Sequence, residues 1–190
     1  MAAVTTLPRN RPLTRADLDQ MPDDGHRYEI VDGMLLVSPA PSRAHQRAVG
    51  RLYLLLQGAI AGSDLELLLA PFSVVLADDT VVEPDLVLAR SAAFTERDLP
   101  GPPLLAIEVL SPSTRRYDRF LKHSRYAAAG IPFYWIIDPS EPGLTAYRLA
   151  SDGTYAVVGQ VSGDEPYETS EPVSVTIVAS ELVADVQRRR

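Results

Sequence analysis

The stretch Leu104-Leu-Ala-Ile-Glu-Val-Leu110, then Ser111-Pro-Ser-Thr114, then a helical run to Ala129, Gly130, and Phe133-Tyr-Trp-Ile-Ile-Asp138 decides the fold. Two nearly all-apolar runs on either side of a helix form the pattern of a βαβ unit, whose parallel strands are covered on both faces. Gly130 supplies the helix stop, and the crossover should be right-handed.

Working toward the N-terminus, Arg27-Tyr-Glu-Ile-Val, Asp32-Gly33 and Met34-Leu-Leu-Val read as a β-hairpin, because Asp-Gly favours a type I′ turn. Residues 1–12 are polar and Pro-containing, a loose arm, and Thr14 can cap a short helix to about Met21 with Asp17 near its start. After Pro39 and Pro41, Ser42 opens a helix to about Ala61; Ala48, Leu52, Leu55, Leu56 and Ala59 recur at helical spacing, a stripe that should pack on the sheet. Strands are expected over 65–69, 72–76 and 85–89, the last entered through Glu83-Pro84, since proline cannot donate into the middle of a sheet. Toward the C-terminus, strands are expected over 145–149, 155–161 and 173–177, with Asp152-Gly153 as a hairpin turn and a short helix near 180–184. There is no internal repeat and no long linker. The chain divides into a flexible arm, 1–13, and one domain, 14–190.

At 190 residues, 46% hydrophobic and 23% charged, the chain can bury a substantial core. Its net charge of -7 argues against a basic nucleic-acid coat. The absence of cysteine removes disulfides, thiolate nucleophiles and Cys-based zinc sites. No apolar run has the length of a membrane span or a signal sequence, so the chain reads as soluble and cytoplasmic. Of 18 basic residues 17 are arginine, and Lys122 is the only lysine.

Glu108 sits inside an otherwise apolar strand. An ionised carboxylate buried there must be protonated, paired or bound to a cation. Arg115, Arg116 or Arg119 could pair with it. Asp85 opens its own apolar strand and could equally be a turn residue; beside Glu108 it would make a hard oxygen site suited to Mg²⁺ or Mn²⁺. If Asp118 is a helix N-cap, Lys122 lies one turn inside and can point back at Glu108; if Pro112 begins the helix, Lys122 lies about 15 Å up the axis, too far. Lys122 could also be a solvated partner of Asp118. In a chain that otherwise uses arginine, a compact ammonium points instead to a phosphate or its attacking water.

Pro84-Asp85-Leu-Val-Leu, Ile107-Glu108-Val-Leu-Ser-Pro-Ser-Thr114 and Lys122-x-x-x-Tyr126-Ala-Ala-Ala-Gly130-Ile-Pro-x-Tyr-Trp135-Ile-Ile-Asp138-Pro closely resemble the Uma family of restriction-endonuclease-like proteins, within the PD-(D/E)xK nuclease superfamily. Arg27-Tyr-Glu29, Asp32-Gly33, Ser38-Pro-Ala-Pro-Ser and His45-Gln resemble the family's N-terminal half. The resemblance spans about residues 14–185. It implies an α/β, restriction-endonuclease-like core, a mixed β-sheet flanked by helices, with the N-terminal hairpin and additional C-terminal antiparallel strands.

It further implies that Asp85 and Glu108 hold a divalent metal. The superfamily's usual lysine position is Leu110 here; Lys122 with Tyr126 resembles the helical Gln-x-x-x-Tyr element of RecB-like nucleases. The expected activity is Mg- or Mn-dependent hydrolysis of DNA phosphodiesters. Asp85, Glu108 and the Val109 carbonyl would hold the metal, Lys122 would orient or deprotonate the nucleophile, and Tyr126 would support the lysine from one turn on. Glu29 and His45 are weaker candidates, Ser111 and Ser113 read as loop and capping residues, and Trp135 reads as core. Arg115, Arg116, Arg119 and Arg125 are phosphate-contact candidates. The expected partners are DNA and a second copy of the chain in a homodimer or higher homo-oligomer, with no membrane. The rival is a catalytically silent nuclease-fold module for binding or assembly. A nucleotide-binding enzyme lacks support, since no Gly-rich phosphate loop follows a strand. By segment, residues 111–130 carry +4 and the remainder -11, so a focused basic strip stands beside an acidic site.

Overall fold

Side chains alternate between the two faces of a β-strand, and that alternation divides the core into two layers. The computed structural model describes residues 7–8 and 10–185. In chain order these form α1 (Arg15–Leu18), β1 (Arg27–Val31), β2 (Met34–Ser38), α2 (Arg43–Ala59), β3 (Leu65–Leu69), β4 (Ser73–Ala77), β5 (Thr80–Val82) and β6 (Leu86–Arg90). Next come β7 (Asp98–Pro100), β8 (Leu105–Val109), a π-helical segment (Tyr117–Lys122) leading into α3 (His123–Ala128), and β9 (Phe133–Asp138). The chain continues through β10 (Gly143–Leu149), β11 (Tyr155–Ser162), β12 (Pro166–Thr169), β13 (Val175–Val178) and α4 (Ala179–Val183).

A six-stranded mixed sheet runs in the order β11-β10-β9-β8-β6-β3, with β8 and β9 parallel and the other pairs antiparallel. One face presents Leu105, Ile107, Val109, Trp135 and Ile137 to Ala48, Leu52 and Leu56 of α2. The other presents Ala106, Tyr134 and Ile136, in one layer with Val31, Val74 and Val82 of a second sheet, ordered β2-β1-β5-β4-β7. Glu108, between Ile107 and Val109, points into this second layer with the even-numbered positions.

Asp32 and Gly33 take positive φ values of 53° and 69°, the type I′ turn that the sequence predicts. In the expected arm, residues 1–6 and 9 lie outside the described residues. Its end is packed, not loose: Leu13 is buried and its N–H donates to the Gly33 carbonyl at 2.9 Å. Thr14 caps α1, its N–H donating to Asp17 Oδ2 at 2.8 Å. Ser42 Oγ accepts the His45 N–H at the start of α2. The short strands β5, β7 and β12 were not expected; each is three or four residues long and held by its neighbours in the sheet, not by a periodic pattern of its own.

The crossover helix corrects one expectation. Asp118 is not an N-cap: Ser111 is, accepting the Thr114 N–H on Oγ and the Arg115 N–H on its carbonyl. Lys122 nevertheless reaches Glu108. A crossover between parallel strands runs back antiparallel to them, so distance along its axis is not distance away from the strand.

Candidate active site

Two sheets and two helices deliver charged side chains to one buried volume. Leu86 pairs with Ile107 across β6 and β8, so Asp85 continues the register opposite Glu108. Glu29 arrives from β1 in the facing sheet, and Lys122 from the end of the π-helical segment. Lys122 Nζ lies 2.8 Å from Glu29 Oε1, 2.9 Å from Glu108 Oε1 and 3.7 Å from Asp118 Oδ1. The lysine is 1% exposed and Glu108 is 0%. The Tyr126 hydroxyl donates to the same Glu108 Oε1 at 2.7 Å. Tyr126 therefore acts on the carboxylate and not, as its i+4 spacing suggested, on the lysine.

Asp85 accepts on both oxygens: Arg27 Nη1 donates to Oδ1 at 2.8 Å and the Val109 N–H to Oδ2 at 2.8 Å, with His45 Nε2 3.1 Å from Oδ2. Glu29 Oε1 also accepts the Glu83 N–H at 2.7 Å. Glu108 Oε2 is buried without a hydrogen-bond partner.

Four buried carboxylates, Glu29, Asp85, Glu108 and Asp118, thus face two permanent cations, Arg27 and Lys122. Burial alone would lower the Lys122 ammonium, but Glu108, Glu29 and Asp118 outweigh it and hold the lysine well above its usual range. Burial pushes Glu108 up, helped by Asp118, Asp85 and Glu29 and opposed by Lys122. Asp85 goes the other way: against burial, the His45 hydrogen bond and the Arg27 charge hold it down at about 2. Glu83 is pushed up to about 7 by burial and by Glu29.

A divalent cation fits this donor set on two counts. Counted as ionised, the four carboxylates outnumber the two cations, and Glu108 offers an unused buried oxygen. Among the described residues no group of three His, Asp or Glu side chains is arranged to hold a metal. A cation held here would be one that needs only one or two carboxylates and keeps several waters.

Asp85, Glu83, Arg27 and His45 form part of the lining of a cleft of about 800 Å³, walled by residues 38–42 and 111–114. Glu108 and Lys122 are buried and do not line the cleft. The arginines proposed as partners of Glu108 are elsewhere: Arg115 makes a bidentate pair with Asp138 at 2.6 and 2.9 Å, and Arg119 reaches the same carboxylate at 3.4 Å. Arg125 pairs with Asp32, and Arg116 is exposed with no ion pair among the described residues.

Of the residues singled out in the sequence, Glu29, Asp85, Glu108, Lys122 and Tyr126 converge, with the Val109 backbone beside them. From the sequence, Arg27 and Glu83 carry no chemical role, Asp118 reads as a helix N-cap or a solvated partner of Lys122, and His45 ranks as a weaker candidate. The signals were present. His45 stands three residues before Ala48 and seven before Leu52, on the buried stripe of α2, and Arg27 shares a strand face with Glu29.

A family model described as "Putative restriction endonuclease", Uma2, matches residues 15–180. The chain belongs to the Uma2 family. A search of curated proteins found no match. Among solved structures, the crystal structure of "a putative nuclease belonging to DUF820 from Anabaena variabilis ATCC 29413" is similar at a TM-score of 0.69 and 17% identity, over 90% of this chain and 98% of that one. This Uma2 chain therefore shares a nuclease fold, and its family supports a nuclease.

Proposed function

We propose that the protein is a metal-dependent DNA endonuclease that hydrolyses phosphodiester bonds at the Asp85–Glu108–Lys122 cluster. The observation that carries this reading is the single lysine of the chain, fully buried and bonded to two carboxylates, one of which keeps an unpartnered oxygen. Asp85, Glu108 and the Val109 carbonyl would hold Mg²⁺ or Mn²⁺. Such an ion supplies Lewis acidity and a bound water that ionises near neutral pH.

The chain's own residues do the rest. Glu29 and Glu108 keep the Lys122 ammonium charged and fixed, so it offsets negative charge developing on the phosphate without reorganisation. Tyr126 fixes Glu108 Oε1 and leaves Oε2 as the free donor. His45 and the Val109 N–H fix the orientation of Asp85. Arg116 and Arg119, both exposed, are candidates for flanking phosphates, and Arg115 and Arg125 for contacts made by exchanging Asp138 and Asp32 for phosphate. A homo-oligomer belongs to this reading where both strands of a duplex are cut.

Plasmid cleavage in Mn²⁺ tests the reading. Wild type should nick or linearise the plasmid, and Asp85→Asn and Lys122→Arg should each lose roughly 100- to 1,000-fold in rate, the usual cost of one preorganised electrostatic group. Equal cleavage by all three would assign the activity to another site or to a contaminant. DNA binding with no cleavage under any divalent cation would favour the silent module.

A further inference from the structure

We propose that the substrate strand enters the site unpaired, and that Tyr117 and Phe120 on the crossover helix form the platform on which its bases stack. The inference rests on the endonuclease reading above and adds the form of nucleic acid taken.

The first observation is depth. Asp85 is 3% exposed and lines the cleft, and Glu108 and Lys122 are buried more deeply still. At about 800 Å³, the cleft has the size of a small-molecule pocket, roughly 300–1,000 Å³. A single extended strand fits a cleft of that size more readily than a stacked duplex does.

The second observation is independent of the cleft. Phe120 is 71% exposed and Tyr117 45%, on a segment whose start, residues 111–114, is a wall of the cleft. Thr114 precedes Tyr117 by about one helical turn. The same segment carries Arg116, free of ion pairs among the described residues, and Arg119, which shares Asp138 with Arg115 and leaves that trio with net positive charge. Exposed aromatic rings interleaved with arginines, leading to an acidic site, match the combination by which single strands are held: a cationic track for phosphates and π faces that accept any base. The charge complements a polyanion, which decides against an apolar partner.

Fluorescence anisotropy of the full-length protein in EDTA, with one labelled oligonucleotide either single-stranded or annealed to its complement, tests this apart from catalysis. Wild type should bind the single strand more tightly than the duplex. Phe120→Ala should weaken single-strand binding roughly 5- to 100-fold, the loss of one stacked base, leave duplex binding unchanged, and be rescued by Phe120→Trp. The side chain is exposed, so these variants should fold as wild type. Equal or tighter duplex binding overturns the proposal. So does unchanged single-strand binding in Phe120→Ala, including the case where that variant alters only self-association and Phe120 is a contact between copies. Loss of cleavage in Asp85→Asn with single-strand preference retained supports the platform and bears separately on the endonuclease; absence of cleavage in wild type with the same preference refutes the endonuclease and leaves the platform standing.

Discussion

Lys122 holds the site together because it is the only ammonium within reach of Glu29, Glu108 and Asp118. Lys122→Met preserves most of the side-chain volume but strands three buried carboxylates. Removing one partner of a buried pair costs about 3–5 kcal/mol, and urea unfolding at pH 8 should show a loss of that order. A loss below about 1 kcal/mol would mean that the carboxylates reach water. Glu83 gives the site a pH signature. Its native value is about 7, raised by burial and by Glu29 from 4.5, so between these limits the native state holds a proton that the unfolded state has released. The contribution of this group to stability is therefore complete below pH 4.5 and is lost as pH rises through 7. Thermal unfolding of the metal-free protein should show wild type losing stability relative to Glu83→Gln across that interval. Parallel curves would show that Glu83 is not held protonated.

The elements differ in how far local sequence determines them. In the β1–β2 hairpin, a Cβ on Gly33 would lie 2.3 Å from Pro12 Cβ, and the residue sits at φ +69°. Gly33→Ala should cost more than about 1 kcal/mol, checked by denaturant unfolding; a neutral result would mean that the segment around Pro12 is not docked in solution. That hairpin, α2 and the β8–β9 pair were legible because turn chemistry and periodicity act within a dozen residues. The strands β5 and β7 were not, because each exists only by pairing with a neighbour distant in sequence or across a turn. The site was legible in the same proportion. Glu108 and Lys122 announced themselves, a charge in an apolar strand and a lone lysine among arginines. Their mutual distance could not be read, because it depends on the crossover running back over the sheet and on a π-helical stretch that local propensity does not predict. His45, in the first turn of α2, is only a weaker candidate from sequence, because a local hydrogen bond is an adequate explanation until Asp85 is placed beside it.

Across the molecule, the six-stranded sheet separates two kinds of interior. One face is a dry layer against α2; the other mixes apolar packing with the charged cluster, closed over by the second sheet. An acidic chain accepts this arrangement because the buried carboxylates face donors or cations in the fold, Glu108 Oε2 and Asp118 Oδ1 being buried without a hydrogen-bond partner. On the proposed reading, a cation taken up at the unused Glu108 oxygen links metal binding to folding. Burial holds the Glu108 carboxyl above its usual range, and a cation taken up there must displace the proton, so affinity should rise with pH. At 100 times its dissociation constant a ligand specific to the native state adds about 2.7 kcal/mol. Thermal unfolding with Mn²⁺ should show a larger upward shift of the midpoint at pH 8 than at pH 5, and Glu108→Gln, which cannot ionise, should remove most of the shift at both. A shift of equal size in Glu108→Gln would place the metal elsewhere on this acidic protein and separate ion binding from the buried cluster.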